Sequence, residues 1–287
     1  MKKFIVKIFI FFIIMLALNL LYLYIIQETD WDFKKRIESL NLNSPKYDIL
    51  ILGNSLAMDG IDTRYMNEHA LKAYNLAFAG ASLKTNYIQL QEYINTYKYK
   101  PKYVILGLGS YLNDFKSNTI HPIVDFTRIN NSYHISDIPM LKFKWKFKEI
   151  LKKLVSKPHR EAYLDYGQLK FKKKITDKTT VDFNNKFLLE KYMDSIILKD
   201  IIKLSSANNI KLFIIEMPGF KKERHVKIFD YKIIDEAKVN GFLLDFNTIE
   251  FCKIFKDDED WIGRSHLNVF GAKKFTKELL KRINLKL

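Results

Sequence analysis

The chain has 287 residues, 48% hydrophobic and 28% charged, with a formal net charge of +16. That balance excludes a disordered or fibrous chain and supplies apolar residues for one good core. The single cysteine, Cys252, excludes an intrachain disulfide. An excess of positive charge this large points to an anionic partner: nucleic acid, a membrane surface or an acidic polymer.

The first predicted element is residues 8–26, IFIFFIIMLALNLLYLYII, with Asn19 as its only strongly polar residue. As a helix it is long enough to cross a bilayer, and Tyr22 and Tyr24 suit the interface at its far end. The run is long for a signal peptide, no small-x-small cleavage site follows, and there is no lipobox cysteine. Residues 1–27 are therefore expected to be an uncleaved anchor. Lys2, Lys3 and Lys7 precede the span, whereas Glu28, Asp30 and Asp32 follow it. The positive-inside rule then puts the N-terminus in the cytoplasm and the main domain outside a single-pass cell-membrane protein. A domain held there has no use for nucleic acid, so the anionic partner is expected at the membrane or in the envelope.

Residues 28–46 read as a polar connector, and residues 47–287 as one α/β domain. A short apolar strand, 48–52, runs into Gly53-Asn54-Ser55. Asp62 is placed to cap a short helix through Ala70. Residues 72–77 form a second strand, ending near Gly80. Leu83, Tyr87, Leu90, Ile94 and Tyr97 fall on one face of a helix. Residues 103–109 form a third strand, apolar enough to be buried on both faces. Residues 115–185 interrupt the alternation as an insert. Within it, residues 140–174 carry twelve Lys or Arg against three acids, more than half of the net charge. Residues 141–148, LKFKWKFK, alternate apolar and basic before a helical-looking run. That segment reads as a solvated basic face, as a surface against anionic headgroups, or as a cap touching an acidic polymer or a protein. A helix over 187–208, a strand over 211–217, a helical stretch, a strand over 242–246 and a closing helix over 269–283 complete the pattern. Strands separated by helices imply a parallel sheet with right-handed crossovers.

In such a sheet the ends of the first three strands share one edge, where open α/β sheets hold their ligands. They bring together a serine hydroxyl (Ser55), backbone N–H groups beside Gly80, and the side-chain amide of Asn113. These are the parts of an activated serine with an oxyanion hole. His266, in the loop before the last helix, faces the same edge and is the candidate base. The other histidines, His69, His121, His134, His159 and His225, are expected to be structural. Asp245, at a strand end, reads as a surface carboxylate or a cap. No His/Cys/Asp cluster has ligand spacing and no phosphate loop occurs, so no metal or cofactor is expected.

These residues resemble the SGNH (GDSL-type) hydrolase superfamily. Gly53-Asn54-Ser55 is similar to its first block, Gly80 to the glycine of its second, Asn113 to the asparagine of its third, and SHLNVFGAKKF, residues 265–275, to its last. The resemblance covers residues 47–113 and 210–283. It implies a flavodoxin-like, three-layer α/β/α fold around a mostly five-stranded parallel sheet, with Ser55 as nucleophile, His266 as base, and Gly80 and Asn113 in the oxyanion hole. The family's acid stands three residues before the histidine, where this chain has Gly263. Asp260, six residues before His266, is the candidate substitute, and the alternative is a Ser–His dyad. Membrane-anchored members imply a serine esterase or O-acyltransferase acting on an acylated envelope glycan or teichoic acid, beside a membrane-bound O-acyltransferase. A non-catalytic accessory protein of the same fold, and a plain membrane-surface binding domain, are the alternative readings.

Overall fold

The computed structural model describes residues 2–29, 46–97, 99–109, 139–142, 144, 147–148, 151, 162–172, 194–219, 224, 230–235, 238–262 and 266–284. The chain divides into two compact units: residues 1–38 with 122–160, and residues 39–121 with 161–287. The division runs through the expected insert. Its residues 122–160 group with the N-terminal helix, and its residues 115–121 and 161–185 group with the α/β unit.

The first unit contains helix α1, Lys2–Thr29. Its stretch Lys2–Tyr22 is long and apolar enough to cross a membrane. Nearly every described side chain of that stretch is exposed, as lipid-facing residues would be, and the exceptions are Asn19 and Tyr22. They lie three apart, on one face. Asn19 Oδ1 accepts the Met140 N–H at 3.0 Å, its Nδ2 donates to Met15 O at 2.8 Å, and the Tyr22 ring lies 6.4 Å from that of Phe147. Residues 139–142, 147–148 and 151 are helical. The alternation of residues 141–148 therefore does not correspond to extended chain at these positions.

The second unit is built on a six-stranded sheet in the order β2-β1-β3-β6-β8-β7. β1 is Ile49–Gly53, β2 Ala73–Asn75, β3 Tyr103–Leu108, β6 Lys211–Glu216, β7 Asp230–Asp235 and β8 Lys238–Asp245. The first five in that order pair in parallel, which is the doubly wound, flavodoxin-like arrangement expected. The sixth, β7, lies antiparallel on β8, with Asp235 opposite Lys238 at the start of β8. Its residues fall within the stretch expected to be helical before residue 242. Asp230-Tyr231-Lys232-Ile233 alternates with the period of a strand, and the sheet edge offers it a ladder.

β1 is buried along its whole length. Its residues alternate between two helical layers. Ile49 and Ile51 join Ile105, Phe213, Phe246, Phe275, Leu279 and Leu280 in one core, under helices α2 (Ser55–Gly60), α3 (Thr63–Glu68) and α6 (Val269–Arg282). Leu50, Leu52, Val104, Leu106 and Ile214 are buried toward the other face, where α4 (Leu83–Tyr97) packs against α5 (Ile196–Ala207). Asp62 caps α3 as expected, its Oδ1 accepting the Tyr65 N–H at 3.0 Å. The buried face of α4 is turned from the expected one. Leu83 and Leu90 are buried as expected, but Thr85, Asn86, Ile88 and Tyr93 are buried with them, whereas Tyr87 and Ile94 are half-exposed.

A small antiparallel hairpin, β4 (Ala162–Asp165) and β5 (Gln168–Phe171), packs on α2. Tyr166 O accepts from Asn75 N at 2.9 Å and from the Thr63 hydroxyl at 3.1 Å. Gln168 Nε2 donates to Asp59 O at 3.0 Å. Lys170 Nζ and Asp62 Oδ1 lie 3.3 Å apart, both side chains buried. Part of the basic insert is thus integral to the α/β unit.

Candidate active site

β1 ends in a turn that only glycine can make. Gly53 has φ +142°, and a Cβ there would stand 2.1 Å from Gly107 O and 2.7 Å from the Ala57 Cβ. The turn delivers Asn54 as the N-cap of α2, its Oδ1 accepting the Leu56 N–H at 2.9 Å, and Ser55 as the first helical residue. Ser55 therefore stands at the carboxyl edge of a central strand, half-exposed.

His266 comes from the other end of the unit. It lies on β10 (His266–Leu267), which pairs antiparallel with β9 (Trp261–Ile262), His266 opposite Ile262. Its Nε2 is 2.8 Å from Ser55 Oγ, across 211 positions of sequence. When Nε2 accepts the serine proton, the imidazole carries its own proton on Nδ1. Burial lowers the pKa of His266 below its ordinary value. The ring is thereby held in the neutral form that can accept a proton.

Several hydrogen bonds fix this approach. Asn268 caps α6 by accepting the N–H groups of Phe270 and Gly271 at 2.9 and 3.1 Å, while its Nδ2 donates to Glu259 O. Asn268 N donates to Asp260 O at 3.0 Å. Gly271 lets α6 seat closely, because a Cβ there would meet Asp260 O at 2.3 Å. Behind the serine, Asn86 Oδ1 accepts the Gly53 N–H at 2.8 Å. Asn75 donates to the carbonyls of Ala57 and Met58 in α2 and accepts from Ala77 N.

The remaining predicted residues fall as follows. Gly80 has φ +73° in an exposed turn, and Phe78 N donates to Gly53 O at 3.0 Å, so this turn adjoins the one that carries Ser55. Asn113 and Gly263 lie outside the described residues. Asp260 is fully buried, but its Oδ2 accepts from Lys256 N and Lys274 Nζ, each at 2.7 Å, and its Oδ1 has no hydrogen-bond partner. Its carboxylate is thus engaged by lysine and backbone, not by the His266 ring. Asp245 is neither exposed nor a helix cap. It is buried at the end of β8, and its Oδ1 accepts the Asn247 N–H at 2.8 Å. Cys252 offers no second nucleophile, since burial pushes its thiol up to about 12. Among the described residues no group of three or more His, Cys, Asp or Glu is placed to hold a metal ion.

No family model matches the chain, and no curated protein matches it. Among solved structures it is similar to the crystal structure of an inferred acylhydrolase from Bacteroides fragilis NCTC 9343, at 10% identity, over 88% of this chain and 97% of that one, with a TM-score of 0.40. At that score the likeness adds nothing to what the strand order already establishes.

Asn75, Asn86 and Asn268 are the site residues that sequence reasoning passes over. Asn268 had a visible signal, an asparagine just before a helical run. The other two are polar residues inside apolar stretches, and only the fold shows which backbone groups they satisfy.

Proposed function

We propose that the chain is a membrane-anchored, SGNH-like serine acyl esterase or O-acyltransferase. The observation that carries this reading is the 2.8 Å contact between Ser55 Oγ and His266 Nε2 at the carboxyl edge of the sheet. Ser55 attacks the acyl carbonyl while His266 Nε2 takes its proton. The oxyanion of the tetrahedral intermediate is met by the N–H groups of Ser55 and Gly80 and by Asn113. The imidazolium then protonates the departing alcohol oxygen. Water or an acceptor hydroxyl, deprotonated in turn by His266, releases the acyl group. Asp260 acts indirectly, by bracing the Lys256–Asp260 turn onto which Asn268 and α6 are fastened.

The substrate class rests on the resemblance to anchored members and on α1. It is an acyl ester of a cell-surface polysaccharide or teichoic acid, handled outside the membrane beside a membrane-bound O-acyltransferase.

The test is labelling of the full chain in detergent with a fluorophosphonate. Labelling that disappears in Ser55→Ala, together with hydrolysis of p-nitrophenyl acetate that falls in both Ser55→Ala and His266→Ala, is the expected result. No labelling, and hydrolysis indifferent to Ser55→Ala, sinks the enzyme reading. That outcome favours the second reading, a non-catalytic accessory protein that binds glycan or docks on the acyltransferase. The commitment of Asp260 to Lys274 is the observation on its side.

A further inference from the structure

The first unit carries a feature the catalytic reading does not use. Asn19 and Tyr22 occupy the last turn of the apolar stretch Lys2–Tyr22. In the expected span of residues 8–26, Tyr22 and Tyr24 stand toward the interfacial end and Asn19 lies one turn before Tyr22, so this face of α1 leads up to the headgroup boundary. At this level Asn19 accepts the Met140 N–H, and Tyr22 meets the Phe147 ring. Met140 belongs to the first turn of the helix Pro139–Lys142, whose N–H groups have no partner within the helix. The one strongly polar side chain of the span therefore fastens a chain segment at the membrane boundary.

That segment has the composition of an interfacial element. Leu141, Phe147 and Leu151 are 66%, 52% and 50% exposed, large apolar side chains for which the protein gives little cover. Lys142, Lys144 and Lys148 fall between them in sequence, with Lys152 and Lys153 just beyond. Amphipathic helices of this kind lie in the plane of the headgroups, with apolar side chains among the acyl chains and lysines on anionic lipid.

Granted that α1 is inserted as the proposed function requires, we infer that residues 139–142, 144, 147–148 and 151 form a second membrane contact. They lie on the surface of an anionic leaflet at the end of α1, with Leu141, Phe147 and Leu151 immersed. The occupant of this apolar and basic surface is lipid, because the segment is held against the interfacial end of α1 and its charge is complementary to an anionic headgroup layer.

The test uses the full chain with Cys252→Ala, reconstituted in vesicles of equimolar phosphatidylglycerol and phosphatidylcholine or of phosphatidylcholine alone. An environment-sensitive fluorophore is attached through a cysteine introduced at position 147 or 151, at position 12 within α1, or at position 199 on the exposed face of α5. We expect the probes at 147 and 151 to be quenched by brominated lipid several-fold more than the probe at 199. Quenching should fall toward the level at 199 in phosphatidylcholine alone, or when Lys142, Lys144 and Lys148 are changed to Gln. Probes at 147 and 151 as water-exposed as the one at 199, while the probe at 12 is lipid-protected, overturn the inference and leave the anchor standing. A water-exposed probe at 12 removes the anchor and the inference together. Protection at 147 that is indifferent to lipid charge and grows with protein density assigns the surface to a second copy, which also overturns it.

Discussion

The Thr276 hydroxyl accepts the backbone N–H of Asp62 at 2.7 Å, joining the helix that follows His266 to the turn that follows the Ser55 helix. The same hydroxyl donates to Ala272 O at 2.8 Å, so its orientation is set from within α6. Two segments 214 positions apart are thereby held in register beneath the Ser55–His266 contact.

Thr276→Val keeps the shape of the side chain and removes this acceptor, leaving a buried N–H without its partner. The expected cost is about 1–3 kcal/mol of stability. Urea unfolding measures it, with an unchanged slope as the sign that only stability has moved. Thr276→Ser should recover most of the loss. Fluorophosphonate labelling of Ser55 should slow in the valine variant and not in the serine one.

The pH dependence follows from the lowered pKa of His266, which burial causes. Only the neutral imidazole accepts the serine proton, so kcat/KM for an ester should hold its plateau below the ordinary histidine value of about 6.5 before falling in acid. Stability shifts in the corresponding sense. Between the folded pKa and about 6.5 the unfolded chain binds a proton that the native chain refuses, so stability rises with pH across that window. It is lost as the pH falls through it. His266→Gln should flatten this part of the stability curve, as thermal unfolding over mildly acidic buffers will show.

Asp260→Asn separates a brace from a triad acid. Where a carboxylate backs a catalytic histidine, the amide costs ~10⁴-fold in kcat. Asp260 instead holds Lys274 and the Lys256 N–H. Its amide should therefore lower the melting temperature while costing far less in kcat, and the acid limb of the pH profile should stay in place. A loss near the triad value, with a displaced acid limb, would reassign Asp260 to the ring.

Gly53→Ala places a Cβ against Gly107 O in a backbone conformation that side chains rarely adopt. We expect a loss of about 3 kcal/mol or more, from strain and overpacking together. It should appear as poor yield of folded protein or a large fall in the urea midpoint.

Much of this architecture is legible from residue pattern alone, and the exceptions have physical reasons. The apolar run from Ile49 to Leu52 and the one from Tyr103 to Leu108 read as buried strands because both faces are covered. α4 falls on its expected bounds, but its face is rotated because Asn86 must reach Gly53 N. Apolar spacing carries no trace of that requirement. β7 escapes notice because half of its ladder is supplied by β8, a partner invisible in a local window. Ser55 and His266 are found through their strand-end and helix-start contexts. The commitment of Asp260 to Lys274 is not readable, since a lysine fourteen residues downstream is one of many in this chain.

The hairpin tip at Tyr166 and Gly167 has a consequence for how this protein behaves in company. β2 is the outermost strand on its side of the sheet, and its Asn75 N–H would otherwise face outward. Tyr166 O occupies that donor, and Gly167, at φ +81°, comes so near that a Cβ there would stand 2.1 Å from Asn75 O. The margin of the sheet is stoppered by the chain's own insert. A strand from a neighbouring molecule would have to displace Tyr166 to pair at Asn75, which guards this edge against edge-to-edge aggregation.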